Sequence, residues 1–312
     1  MGLHESVLCQ EAVDGLSVKA QGIYVDGTLG RAGHSKAILR RCDDCFLYGI
    51  DKDPYALRDS CQILDKFTGR FKLLRGDFRE MKSLLADEGV CKVDGILLDL
   101  GVSSPQFDDP DRGFSYHSEA RLDMRMDLSQ DLDAEEVINT YTQNQLQEIF
   151  SRYGEEPYSK TIAKAIVESR ATKPLITTLD LVNLIRQTLP DRVLSQKGHP
   201  ARRVFQALRI EVNGELEALK EILKEGPKLL KDGGRMVIIT FHSLEDRMVK
   251  QAFQTCSKPE TVDKRIPLRD SEMLQSGYRV VNRKPITASE AEIANNRRAR
   301  SAKLRILEKK EV

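Results

Sequence analysis

Val93-Asp94-Gly95-Ile96-Leu97-Leu98-Asp99-Leu100-Gly101-Val102-Ser103-Ser104-Pro105-Gln106 carries an apolar run straight into a carboxylate and then into a turn of Gly, Ser and Pro. Ile96 to Leu98 predict a strand covered on both faces, since a strand open on one side would alternate apolar with polar residues. In open α/β sheets ligands sit just beyond the carboxyl ends of such strands, which puts Asp99 where chemistry is done. The pattern recurs upstream. Ile23-Tyr24-Val25 precedes Asp26 and a Gly-rich turn, Phe46 to Ile50 ends in Asp51, and Lys72-Leu73-Leu74 leads into Gly76-Asp77-Phe78. Pro54 stands where the first turn of a helix accepts it. Four strands alternating with helical stretches predict a parallel, doubly wound α/β sheet.

Downstream the character changes. Residues 106–131 are polar and rich in turn formers, and from Ala134 to about Gln187 the apolar residues follow a helical period without strand signals. Gly233-Gly234 and the run Arg235 to Phe241 bring back a turn and a buried strand, with a helix from Arg203 to Lys224 leading to it. The expected organisation is a sheet domain in two parts, residues 1–105 and 211–312, interrupted by an all-helical domain at residues 106–210.

At 312 residues the chain can bury a full core without disulfides, and its six cysteines make no framework. Cys42-x-x-Cys45 lacks the second pair that a zinc site needs, and His34 and His199 stand alone, so no metal is expected. No apolar run reaches the ~18 residues of a membrane span. Glu5, Glu11 and Asp14 stand where a leader would be basic, so a cytoplasmic protein is expected. A net charge of +1 gives no global attraction to nucleic acid, which leaves local clusters. From Arg279 to Lys310 ten Lys and Arg stand against Glu290, Glu292 and Glu308, which suits a phosphate backbone, with a solvated helix face as the lesser alternative. Arg112, Arg121, Arg125, Arg202 and Arg203 either hold phosphates or pair with neighbours such as Asp111, Asp123 and Asp127.

Asp26-Gly27-Thr28-Leu29-Gly30-Arg31-Ala32-Gly33-His34 places three glycines at intervals of three before a helix, allowing the backbone close to a ligand at the helix N-terminus. The spacing is not G-x-G-x-x-G, and an ordinary tight turn is the alternative reading. Asp51, some twenty residues on, is placed to accept hydrogen bonds from both hydroxyls of an adenosine ribose. Asp77 and Phe78 could bracket an adenine, although Phe78 could equally be core. Glycine turn, ribose acid, adenine clamp and catalytic turn in that order fit S-adenosylmethionine better than a nicotinamide dinucleotide.

With these residues in place the chain resembles a specific family, the bacterial methyltransferases known as MraW or RsmH, which methylate N4 of a cytidine in small-subunit ribosomal RNA. The likeness runs almost end to end. It includes His4-Glu5-Ser6-Val7-Leu8, Glu11-Ala12-Val13, Asp26 to Ser35, Asp94 to Pro105, Arg112-Gly113-Phe114-Ser115 and Leu122 to Asp127. It continues through Tyr153 to Glu156, His199-Pro200-Ala201, Arg203 to Ala207, Phe241 to Arg247 and Asn296 to Ser301. The resemblance implies a Rossmann-like S-adenosylmethionine-dependent methyltransferase domain with an inserted all-helical domain. It implies cofactor contacts at Ala32, Gly33, His34, Asp51, Phe78, Asp99 and Gln106. It also implies a substrate, the decoding region of 16S ribosomal RNA within an assembled small subunit; the helical insert can pair with itself or contact only RNA. Many members carry glycine where this chain has Ala32, a change that costs little provided φ there is negative.

The exocyclic amine of cytosine is a poor nucleophile because its lone pair is delocalised into the ring, so an acceptor beside it must favour the pyramidal form. Asp99 opens the segment where amino-methyltransferases carry an Asn/Asp-Pro-Pro-Tyr-like motif, here replaced by Asp99 to Pro105. Asp99, Ser104 or a backbone carbonyl could take that hydrogen bond, and Asp99 and Ser104 are the candidate catalytic residues. Methylation at a ring carbon would need a cysteine nucleophile near the turn, and Cys91 precedes the strand. His242 and Ser243 either line the site mouth with Glu245 and Asp246, or Ser243 caps the next helix while the two acids favour its N-terminus. Two other function classes are opposed or secondary: a nicotinamide-dependent oxidoreductase, against which the glycine spacing argues, and a non-catalytic RNA-binding assembly factor that keeps the fold.

Overall fold

The computed structural model describes residues 6–103, 106–107, 109–259 and 276–311. Two compact units divide the chain, one comprising Met1–Gly101 and Glu217–Val312, the other Val102–Leu216. The first unit holds β1 (Ile23–Asp26), β2 (Phe46–Asp51), β3 (Phe71–Arg75), β4 (Val93–Asp99), β5 (Leu230–Thr240), β6 (Tyr278–Val280) and β7 (Lys303–Lys309). They form one sheet in the order β3-β2-β1-β4-β5-β7-β6. β1 to β5 pair in parallel, while β7 runs antiparallel to both its neighbours. This is a Rossmann-like sheet, with strand order reversing between β1 and β4, the place where such sheets bind ligands.

β4 is buried on both faces, as its sequence predicts. Ile96 and Leu98 enter one core cluster with Val25, Met236 and Ile238, whereas Leu97 enters the other with Tyr24, Leu47, Val237 and Leu304. Each such leucine or isoleucine contributes about 1.5–3 kcal/mol by leaving water. The two acids of this strand divide by end. Asp94 is engaged structurally by Lys231 at 2.7 Å, Lys19 at 2.8 Å and the Ile23 amide at 2.8 Å. Asp99, at the other end, is not so held.

The second unit is built on helices Ala134–Thr140, Gln143–Arg152, Ser159–Arg170, Thr178–Thr188, Asp191–Leu194 and Arg202–Asn213. They surround a core that includes Leu146, Phe150, Ile162, Ile185, Val204 and Leu208. Thr142 and Thr177 begin helices through reciprocal capping boxes with Gln145 and Asp180. The single helix expected from Arg203 to Lys224 is two, Arg202–Asn213 and Glu215–Leu229, because Gly214 turns left-handed at φ 61° and closes the first. The apolar period resumes immediately beyond it, which hides the break from a periodicity reading. Among the described residues no helix is long and apolar enough to cross a membrane.

Candidate active site

β1, β2 and β4 end in Asp26, Asp51 and Asp99, three carboxylates along the carboxyl edge of the sheet. The turn after β1 ties the strand ends together: the Gly27 amide donates to the Leu97 carbonyl at 2.9 Å, and the Asp99 amide donates to Thr28 Oγ1 at 2.6 Å. Asp51 accepts from the Gly30 amide at 2.8 Å through Oδ2 and from the Asp53 amide at 2.9 Å through Oδ1. Each oxygen keeps a lone pair for a further donor. Asp26 is buried and accepts from Ser35 Oγ at 2.7 Å and from the Thr28 amide at 3.2 Å. Asp99 Oδ1 is buried and has no hydrogen-bond partner among the described residues, and the side chain keeps 24% exposure.

These environments set the charges. Burial pushes the Asp51 carboxyl up to about 6 against the pull of the Asp53 and Gly30 amides. Burial likewise raises Asp99 to about 6, with the nearby Asp26 and Glu245 charges reinforcing it and His34 opposing. Asp26 is raised by burial against His34 and its hydrogen bonds. A ligand bringing positive charge and hydroxyl donors offsets the cost of ionising such an edge.

The helix Gly33–Arg41 starts here with Ala32 at its N-cap, and Ala32 offers no side-chain cap. Its φ is +53°, so the condition under which alanine replaces glycine at little cost is not met. A left-handed alanine is strained by about 1–2 kcal/mol. At Gly33 a Cβ would fall 2.0 Å from Ser6 Oγ, so a larger residue there would have to turn that hydroxyl aside. Gly27 too answers to packing: its Cβ would lie 2.5 Å from Leu98 Cδ2. His34 is buried, with Nε2 3.0 Å from the Val7 carbonyl and Nδ1 3.7 Å from Asp99 Oδ2.

Ala32, Gly33, His34, Asp51, Phe78 and Asp99 therefore all lie in the first unit, at or beside the ends of β1 to β4. Phe78 is half-buried against the core on one face of the sheet. Asp77 forms a capping box with Glu80 and pairs with Arg79 at 3.1 Å. Gln106 belongs to the second unit, where it is buried and its Oε1 accepts from the Ser103 amide at 3.1 Å. Ser104 lies outside the described residues. Thr28, Ser35 and Asp26 are not among the site residues expected from sequence, although Asp26 ends a β-prone run and all three fall in a stretch that carries the family likeness.

The residues after β5 have structural roles. His242, not Ser243, is the N-cap of the helix Ser243–Cys256. Its ring accepts from the Glu245 amide, while Glu245 Oε2 accepts from the Phe241 and His242 amides at 2.8 and 3.2 Å. Asp246 pairs with Arg305 at 2.6 Å and Lys303 at 3.0 Å. Of the insert arginines, Arg121 binds Asp133 at 2.6 Å, Glu135 at 2.8 Å and Asp123 at 3.4 Å, and Arg125 binds Asp123 at 2.8 Å. Arg112 donates to the carbonyls of Arg125 and Met126. These three brace the loop, while Arg202 and Arg203 stay exposed. The C-terminal basic stretch is similarly divided: Arg279, Lys303, Arg305 and Lys309 are ion-paired, and Arg283, Lys284, Arg297 and Arg300 are exposed.

A carboxylate with lone pairs to spare, a helix N-terminus without a side-chain cap and a row of acids match, in chemistry, the hydroxyls, carboxylate and positive charges of S-adenosylmethionine. The sequence model of the MraW methylase family matches residues 1–310. A ribosomal RNA small subunit methyltransferase H from Exiguobacterium sibiricum is 48% identical over 306 residues, covering 98% of each chain. Two solved structures are similar at low identity. One is an rRNA methylase from Streptococcus thermophilus, with 13% identity, TM-score 0.40, and 99% of this chain and 100% of that one covered. The other is a putative methyltransferase from Streptococcus mutans in complex with SAH, with 12% identity, TM-score 0.41, and 98% and 99% covered.

Proposed function

Because the chain belongs to the MraW methylase family, we propose that it methylates N4 of a cytidine in the decoding region of 16S ribosomal RNA, within the assembled small subunit, in the cytoplasm. Membership makes it a methyltransferase that uses S-adenosylmethionine, whose sulfonium supplies an electrophilic methyl group. The observation that carries the choice of an amine is Asp99, an acceptor at the end of the central strand whose buried Oδ1 no donor among the described residues satisfies. An amine hydrogen supplies what that carboxylate lacks, and accepting it draws the nitrogen lone pair out of conjugation and toward the methyl.

In this reading Asp51 receives the ribose hydroxyls, Phe78 packs against the adenine, and the amides of Gly33 and His34 receive the carboxylate of the methionine moiety. Asp99 aligns the amine for in-line attack. Positioning supplies most of the acceleration, since holding two reactants in register can be worth about 7–11 kcal/mol. Burial around Asp26, Asp51 and Asp99 keeps water out, so that each charge acts at greater strength than in solvent.

Methyl transfer from labelled S-adenosylmethionine to small subunits lacking the modification, followed by nucleoside analysis, tests the proposal. N4-methylated cytidine is the expected product, and Asp99→Ala should lose the activity. Label on a ring carbon would overturn the amine mechanism. Tight cofactor binding with no transfer would favour the assembly-factor reading.

A further inference from the structure

His34 holds one ring nitrogen fixed and leaves the other aimed at the candidate catalytic acid. A carbonyl oxygen can only accept, so the 3.0 Å contact with Val7 makes Nε2 the protonated nitrogen and leaves the lone pair of the neutral ring on Nδ1. Nδ1 lies 3.7 Å from Asp99 Oδ2, close enough for an ion pair and one small side-chain movement short of a hydrogen bond. Among the described residues, the charges that act on Asp99 besides His34 are acidic: Asp26 from β1, and Glu245 from the helix after β5. Asp26 already accepts from Ser35 and Thr28, and Glu245 closes the capping box with His242. Among the described residues Asp99 is left with an unsatisfied oxygen and, within ion-pair distance, the ring of His34.

We propose that His34 stores the proton released by methyl transfer, acting through Asp99. This rests on the amine mechanism above. When the N4–C bond forms and the C–S bond breaks, the bonding pair leaves with sulfur as a neutral thioether, and N4 carries one proton too many. That proton passes to Asp99 and from Asp99 to Nδ1 of His34, leaving carboxylate beside imidazolium. Before the step the carboxylate edge faces a sulfonium; after it the edge faces an imidazolium of the same charge. The site therefore never holds Asp26, Asp51 and Asp99 without a counter-cation while the product is present. Loss of the proton to solvent, once product leaves, restores the neutral ring.

Nitrogen chemical shifts of the His34 ring, read across pH on the ligand-free protein, test the pairing without turnover. The expected result is a proton on Nε2 throughout, with Nδ1 gaining its proton at higher pH in the wild type than in Asp99→Asn. Nδ1 behaviour that is identical in the two proteins, or an unprotonated Nε2, overturns the proposal. Single-turnover methylation of small subunits with saturating cofactor supplies the second reading. His34→Ala should be slower by about tenfold or more, with an altered acid limb of the pH profile and partial rescue by added imidazole. A variant that loses only cofactor affinity, with the wild-type pH profile and no rescue, assigns His34 a merely structural role and overturns the proposal. Should the wild type methylate something other than an amine, the nitrogen shifts still report on the pair, so failure of the reaction assignment and failure of the proton store are separable.

Discussion

The carboxyl edge of the sheet and the loop Arg112 to Asp133 are both rich in aspartate, and they treat it in opposite ways. In the loop, Asp123 is held below its ordinary range: burial works against ionisation, but hydrogen bonds and charge from Arg125, with Arg121 behind, outweigh it. At the sheet edge, burial wins, and Asp51 and Asp99 rise to about 6. The same residue type braces a fold where arginine meets it and waits for a ligand where none does. Position in the chain does not distinguish the two; the partner does.

The hardest test of this contrast is Asp51→Ala. Each hydrogen bond to a charged group is worth about 1.5–3 kcal/mol, so loss of the ribose contacts should weaken S-adenosylmethionine binding by about a hundredfold or more in titration calorimetry. Unchanged affinity would remove the edge from the cofactor site. Asp123→Ala should do the converse. It takes from Arg125 its carboxylate partner while Arg121 keeps Asp133 and Glu135, and should lower unfolding free energy by about 3 kcal/mol in urea while leaving cofactor affinity unaltered.

Asp99→Asn sharpens the comparison because its sign is reversed. The neutral side chain abolishes a buried charge and can donate to His34 Nδ1, so the ligand-free protein should gain about 1–2 kcal/mol as methylation is lost. Acidity separates the regions in the same way. Between pH 6 and 4 the folded protein binds more protons at Asp51 and Asp99 than the unfolded chain does, so their contribution to stability rises as pH falls through that window. Asp123 contributes stability that is present above its unfolded value and lost as pH falls below about 4. Hydrogen exchange at pH 7, 5 and 3.5 should show the edge better protected at 5 than at 7, and the loop weakened only at 3.5. The smallest effect is at Ala32→Gly, where relief of a left-handed φ and loss of a buried methyl, each about 1 kcal/mol, nearly cancel. A melting shift beyond a few degrees would show that one of them dominates.

Much of the sheet was legible because buried parallel strands announce themselves as short apolar runs, and Asp26, Asp51 and Asp99 stand at their ends. Gly214 was illegible as a break because the apolar period continues across it. Ala32 misleads for a different reason: backbone handedness is imposed by the turn, and alanine carries no mark of it. His242 replaces Ser243 as the cap because its Nδ1 reaches the Glu245 amide, a detail of ring geometry. The arginines of the loop had two readings in sequence, and their partners in the fold decide between them: Asp123, two residues away, for Arg125, and Asp133 and Glu135, more distant in the chain, for Arg121.

β7 adds a constraint of another kind. It follows every other strand in the chain yet lies between β5 and β6 in the sheet. During synthesis, β5 therefore waits with one edge unpaired until residues 303–309 have emerged, and such an edge invites pairing with a neighbouring nascent chain. Completion of the sheet is thus timed by translation, and a chain interrupted before Lys303 should be a substrate for chaperones and proteases rather than a slower enzyme.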